Sequence, residues 1–236
     1  MVELALDMAG TGGAVALRFG ATSDQLLVRE LEAGPGRGEA IFGLLDELFD
    51  EAGAEFQSLS SIICTVGPGS FTGVRVGISL AKGLALASGA TLFGVTRTLV
   101  VGQRALLMDD LLIEGAVFAS LLLAGRGGVF VQVFSVGSVG IEVVSEPLLV
   151  AFAELDAFVQ ERQIGVFVGL EPRDVLQDAG LYFHDDVSYR HVTVSAEDLW
   201  RVEGQLLLCG EAVNPLYVRA PDAKVQEGHA IERRVP

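Results

Sequence analysis

Cysteine is nearly absent: Cys64 and Cys209 are the two in 236 residues, each inside a hydrophobic segment and neither in a CxxC pair. A disulfide framework and a zinc knuckle are thereby excluded, and both thiols are expected to be buried in a reducing cytosol. Histidine is as scarce. His184, His191 and His229 stand at no HExxH or HxxxH spacing, so no helix presents two imidazoles to a metal. His184, beside Asp185 and Asp186, reads as a solvated loop residue, His191 as the start of a strand, and His229 as part of a tail. No GxSxG elbow marks a serine hydrolase. Basic residues are outnumbered, 16 against 31 acidic, for a formal net charge of -15. Such a field repels phosphate backbones, so bulk charge points to protein or small-molecule partners and away from direct nucleic-acid binding. A long uninterrupted apolar run is missing too, since Asp109, Asp110 and Glu114 break residues 106–124. Residues 1–4 lack the basic start of an export signal, and the expectation is a soluble cytoplasmic protein with no membrane partner.

What is present is a chain half apolar with 29 glycines, enough to bury a sizeable core. Short apolar stretches at 2–6, 14–19 and 25–31, parted by turn residues, predict an antiparallel meander. Ile41, Leu44, Leu45, Leu48 and Phe49 follow the helical period, and that helix should end near Gly53. A buried strand over 61–66, a helix over 73–88, a strand over 91–95 and a helix from 98 complete the order β-β-β-α-β-α-β-α. A meander followed by crossover helices gives a mixed sheet with helices on its faces. Further strands are expected at 116–123, 129–136, 141–144 and 165–168, with helices at 151–162 and from Ser195. The division expected is an N-terminal lobe at 1–103, a smaller α/β lobe at 104–220 and an exposed tail at 221–236, with no internal repeat.

The most specific motif is Gly67-Pro68-Gly69-Ser70-Phe71-Thr72-Gly73-Val74-Arg75-Val76-Gly77, set between a buried strand and a helix. Backbone amides and a helix N-terminus can converge there on an anion, with Ser70 and Thr72 adding hydroxyls; the alternative is a tight connection in which one of them caps the helix. It is neither a Walker A loop, having no Lys-Ser or Lys-Thr after its last glycine, nor a dinucleotide fingerprint. The same stretch, followed by Ala81-Lys82-Gly83-Leu84-Ala85, closely resembles the signature of the bacterial TsaB (YeaZ) family, and residues 215–224 (PLYVRAPDAK) resemble that family's C-terminal motif. The resemblance implies an α/β, actin-like (ASKHA, ribonuclease-H-like) fold of two lobes with mixed sheets. It implies a non-catalytic partner of TsaD, acting with TsaE, in forming threonylcarbamoyladenosine at position 37 of tRNAs that read codons starting with A. On that reading this chain requires no cofactor of its own, and ATP belongs to the complex. The family pattern is altered at several polar positions: Met8-Ala9 replaces Thr-Ser, Arg37 a histidine, residues 123–126 (LAGR) an Asp-Ala-Arg start, and Gly128 and Phe130 a Glu and a Tyr.

The alternative is a nucleotide-dependent small-molecule kinase of the actin-like superfamily, which holds phosphates between two glycine loops. Asp7 with Gly10, Thr11, Gly12 and Gly13 would form one loop, and Gly67, Gly69, Ser70, Thr72 and Gly73 the other. Asp7 would then place Mg²⁺, unless it simply closes the first turn, and no second carboxylate sits in a comparable loop. A protein-docking surface is expected on the 73–88 helix, which is apolar nearly all round and needs cover on both sides, from a neighbouring helix of the chain or from a partner. Val76, Leu80 and Leu84, the charged Arg75 and Lys82, and Phe42 on the preceding helix are its candidate residues, offered to TsaD or, in its absence, to a second copy of the chain.

Overall fold

A computed structural model describes residues 1–22, 25–34, 36–108, 112–184, 186–202 and 207–218. The chain opens with the expected meander, β1 (Val2–Asp7), β2 (Gly13–Phe19) and β3 (Gln25–Leu31), in antiparallel register. Helix α1 (Arg37–Ala52) then leads to β4 (Leu59–Gly67), α2 (Phe71–Ser88), β5 (Thr91–Thr96) and α3 (Arg97–Leu106). Strands β4 and β5 add in parallel beside β1, giving the order β5-β4-β1-β2-β3. Gly53 ends α1 in the left-handed conformation, where it returns its N–H to Phe49 and Asp50.

The second sheet repeats this plan. Strands β6 (Val117–Gly125), β7 (Gly128–Val136) and β8 (Ile141–Val143) form an antiparallel meander, and β9 (Leu148–Ala151) also pairs with β7. Helix α4 (Leu155–Arg162) crosses to β10 (Val166–Gly169), and α5 (Arg173–Asp178) leads to β11 (Ser188–His191); both strands run parallel to β6. A repeat of topology without a repeat of sequence is what burial patterning allows, since strand order depends on which positions are apolar and not on which apolar residue fills them.

Strand alternation sorts the side chains into layers. On the outer face of the first sheet Leu4, Leu6, Val15, Leu17, Ile62 and Cys64 pack under Ile41, Leu45 and Leu48 of α1 and Val74, Ile78 and Ala81 of α2. On its inner face Ala5, Ala16, Ile63 and Val95 meet α3, which shares one core with Phe118, Leu122, Phe130 and Phe134 of the second sheet. The far face of that sheet, with Leu121, Val131 and Phe167, is covered by α4 and α5. Helix α3, across which the division expected at residue 103 falls, therefore packs between two sheets. At its start Thr98 and Thr96 donate to Gln132 Oε1 of β7, at 2.6 and 3.3 Å.

Several expectations are corrected. The helix expected over 151–162 begins as the end of β9 and a 3-10 turn, Phe152–Glu154. The helix expected from Ser195 is a six-residue 3-10 turn, Ala196–Arg201, whose Asp198 carboxylate is committed to the Ser195 N–H and to Arg201, both at 2.9 Å. His191 ends β11 and does not begin a strand. Cys209 is exposed, on the two-residue strand β12 (Leu208–Cys209), which returns to the first sheet beside β5. Asp109, Asp110, Asp185, His229 and the tail expected over 221–236 lie outside the described residues.

Candidate functional site

A cleft of about 1180 Å³ lies where the two lobes meet. Six of the anion-loop candidates, Gly10, Thr11, Gly69, Ser70, Thr72 and Gly73, line it, while Asp7 and Gly67 sit behind them. Asp7 ends β1 with its carboxylate buried. One oxygen accepts from the Ala9 N–H at 3.0 Å and the Thr65 hydroxyl at 2.8 Å, and the other is paired with Arg97 Nε at 3.1 Å. The Arg97 guanidinium then spreads over Gly10, where a Cβ would stand 2.6 Å from Nη2. Asp7 thus closes the first turn and fixes Arg97.

The second loop is fastened to the first. The Ser70 N–H donates to the Ala9 carbonyl at 2.7 Å, and a Cβ on Gly69 would overlap that same carbonyl oxygen. The Ser70 hydroxyl accepts from the Gly73 N–H at 3.2 Å, so Ser70 is the N-cap of α2, which starts two residues earlier than the sequence spacing suggested. Met8, 1% exposed, fills the space behind the loops against Gly77 of α2. The loops are thus tied to each other at their bases, with Asp7 bonded to Ala9, Thr65 and Arg97 and the Arg97 guanidinium against Gly10, while Gly10, Thr11, Gly69, Ser70, Thr72 and Gly73 face the cleft. Among the described residues no group of three or more His, Cys, Asp or Glu could hold a metal ion.

The opposite wall comes from the second lobe, with Leu122, Leu123, Ala124 and Gly125 of β6, Phe130 of β7, and Glu171. Just past the last β6–β10 pair, Leu121 with Gly169, the Leu123 N–H meets the Glu171 carboxylate at 3.4 Å. Burial raises the pKa of Glu171 above the usual carboxylate value, opposed by backbone N–H donors and by the charges of Arg97 and His191. Its backbone carbonyl accepts from Tyr189 Oη at 2.6 Å, and burial next to that carboxylate pushes the phenol up as well. Cys64 is buried beneath α2 and its thiol is pushed up to about 12, chiefly by burial, so it is packing and not a nucleophile. His184 meets Asp156 at 3.1 Å, exposed and remote from the cleft lining.

The family model described as TsaD, tRNA N6-adenosine threonylcarbamoyltransferase, matches residues 36–163, more than half of the chain. The chain belongs to this family. Its curated relatives include both TsaB (YeaZ) proteins and threonylcarbamoyltransferases: TsaB of Escherichia coli K12 is 33% identical over 67 residues, 28% of this chain and 29% of that protein. TsaB of Haemophilus influenzae is 30% identical over 102 residues, 43% of this chain and 42% of that protein. The tRNA N6-adenosine threonylcarbamoyltransferase of Granulibacter bethesdensis is 50% identical over 46 residues, 20% of this chain and 12% of that protein. The matched stretches thus span less than half the length of these curated relatives. YeaZ from Pseudomonas aeruginosa superimposes with a TM-score of 0.68 at 20% identity, over 92% of this chain and 99% of that one. The fold is the two-lobed α/β fold of YeaZ.

On this TsaB-type scaffold the candidate docking residues fall into three groups. Phe42 on α1 is 56% exposed. Val76, Leu80 and Leu84 of α2 are half-buried against the first-lobe core. Arg75 and Lys82 hold the segment 213–218: Arg75 donates to Tyr217 Oη at 2.9 Å and stacks on Phe71 at 3.8 Å, and Lys82 donates to Asn214 at 3.1 Å. Val213 is fully buried and the Leu216 N–H bonds the Val66 carbonyl at 2.8 Å, so this segment is a strap across α2. Sequence reasoning missed Leu86, which is 88% exposed on α2, as well as Arg97, Glu171 and Tyr217 in or beside the cleft. Leu86 falls three residues after the exposed Gly83 and could have been found on that stripe. Nothing local marks Arg97 or Glu171, whose roles arise from residues 90 and 48 positions away.

Proposed function

We propose that this chain is a non-catalytic partner of a TsaD-type threonylcarbamoyltransferase, supporting the formation of N6-threonylcarbamoyladenosine on tRNA. The observation that carries the reading is the closure of the two glycine loops on each other, through the Ser70 N–H, the Ala9 carbonyl and the Arg97–Asp7 pair. A phosphoryl-transfer enzyme needs carboxylates free to place Mg²⁺ and room for phosphates between its loops. Family membership supplies the pathway, and the engagement of Asp7 by Ala9, Thr65 and Arg97, which leaves neither glycine loop a carboxylate free for Mg²⁺, favours a surface role over a kinase. The surface proposed is the face of α1 and α2 around Phe42 and Leu86, with Val76, Leu80 and Leu84 at its edge; it would take TsaD, or a second copy of the chain when TsaD is absent. TsaE and ATP would act at the complex, and tRNA would be reached through it.

Sedimentation velocity of the chain alone and mixed with TsaD from the same source, with and without ATP, tests this. A stable one-to-one complex is expected. Tight ATP binding by the chain alone, with no complex formed, overturns the reading in favour of the kinase.

A further inference from the structure

The face of α1 and α2 around Phe42 and Leu86 is unequally charged. From Gly38 to Ala52 helix α1 carries Glu39, Asp46, Glu47, Asp50 and Glu51 and no basic residue, whereas α2 carries no acidic one. Glu51 pairs with Arg29 of β3, so the flank of α1 that it shares with Glu47, four residues earlier, turns to the edge of the sheet. The other flank approaches α2, where a Cβ on Gly38 would lie 3.8 Å from Val76. Phe42 and Asp46 follow Gly38 at four-residue steps and share that flank, with Glu39 beside them and Asp50 one turn beyond Asp46. Glu39, Asp46 and Asp50 are exposed, and their carboxylates have no hydrogen bond or ion pair among the described residues. The cations of α2 do not answer them, because Arg75 and Lys82 are turned to the strap, on Tyr217 and Asn214.

We propose that the surface docking on this face is cationic: an apolar centre seated on Phe42 and Leu86, with lysine or arginine side chains over Glu39, Asp46 and Asp50. This rests on the docking role proposed above and names the chemistry of its partner. The apolar contact supplies affinity, and the carboxylates steer the encounter and fix its register. They also favour that partner over a second copy, which brings a net charge of -15 and the same carboxylates to the face.

Titration calorimetry of the full chain with TsaD from the same source, at about 50 mM and about 500 mM salt, tests this. The dissociation constant is expected to rise about tenfold or more over that range. The double variant Glu39→Lys, Asp46→Lys changes two exposed side chains, so its thermal melt should match the parent. At low salt it should bind TsaD about tenfold or more weakly than the parent, and it should lose most of the salt dependence. Glu47→Lys, the same change on the flank turned to β3, should weaken binding clearly less than Asp46→Lys alone. A complex indifferent to salt and to the double reversal, or equal losses in Glu47→Lys and Asp46→Lys, overturns the cationic partner and leaves the docking role standing. No complex with TsaD at either salt overturns both. Self-association of the chain that strengthens at low salt and is lost in the double variant would give the face to a second copy, and that also overturns the proposal.

Discussion

Glycine has opposite consequences at two positions of one helical region. At Gly69 a side chain would run into the backbone of Ala9, which is itself fixed by the Ser70 N–H and cannot give way. Gly69→Ala is expected to destabilise the fold by about 2 kcal/mol or more. Gly83 lies on the exposed side of α2 with nothing within reach of a Cβ, so Gly83→Ala should stabilise by about 0.5–1 kcal/mol through reduced freedom of the unfolded chain. Urea unfolding of both variants reads the two signs, and equal effects would refute the loop-to-loop contact. Glu171 provides a pH test at the same scale. Its pKa is raised in the folded state, so the folded chain holds that proton to higher pH than the unfolded one. Its contribution to stability is therefore present at low pH and is lost as pH rises through the folded value. Glu171→Gln should flatten the stability profile above the ordinary carboxylate range and leave the protein at least as stable at neutral pH. Chemical denaturation across pH checks this, and a Gln variant with an unaltered slope would exclude Glu171 as the source.

Helix α2 was the element best marked by its own residues, because the glycine-rich connection, the Ser70 cap and a nearly continuous apolar run all lie within a short stretch of chain. Which of its faces would be covered was not marked. The sequence leaves Arg75 and Lys82 open to a partner's carboxylates, whereas in the fold they tie down the strap at 213–218 through a tyrosine hydroxyl and an asparagine amide. Those contacts span 142 and 132 residues, beyond any periodicity argument. If Arg75 and Tyr217 act as a unit, a double-mutant cycle of Arg75→Ala and Tyr217→Ala should give a coupling of about 0.5–1 kcal/mol, the size of an exposed cation–aromatic contact. A coupling near zero would mean that Val213 and the Leu216 backbone hold the strap without them. The 3-10 turn at Ala196–Arg201 shows a further limit: the start at Ser195 was visible, but Asp198 is also drawn 3.6 Å from Arg104 of α3, and the chain leaves the turn to bury Val202.

At the scale of the molecule, two sheets of the same strand order share α3 between them, and the cleft opens along that seam. The outer surface of the first lobe keeps Phe42 and Leu86 in solvent although both are large and apolar, which makes them the sharpest probes of the proposed partner surface. Phe42→Asp and Leu86→Asp should leave thermal stability within about 0.5 kcal/mol, since neither side chain is buried. Each should weaken the complex with TsaD by about tenfold or more in sedimentation. Undiminished binding in both would place the contact elsewhere. The meander, the crossover order and the glycine connection were legible in the sequence because each depends on neighbours a few positions apart, where alternation, helical period and turn residues act directly. The chain by itself therefore determined an α/β fold and its family likeness. Only the tertiary structure decided that Asp7 would be spent on Thr65 and Arg97, that β12 would return to the first sheet, and that Glu171 would face the cleft. Those outcomes depend on charges, hydrogen-bond donors and backbones brought together from distant parts of the chain, and no local pattern carries that information.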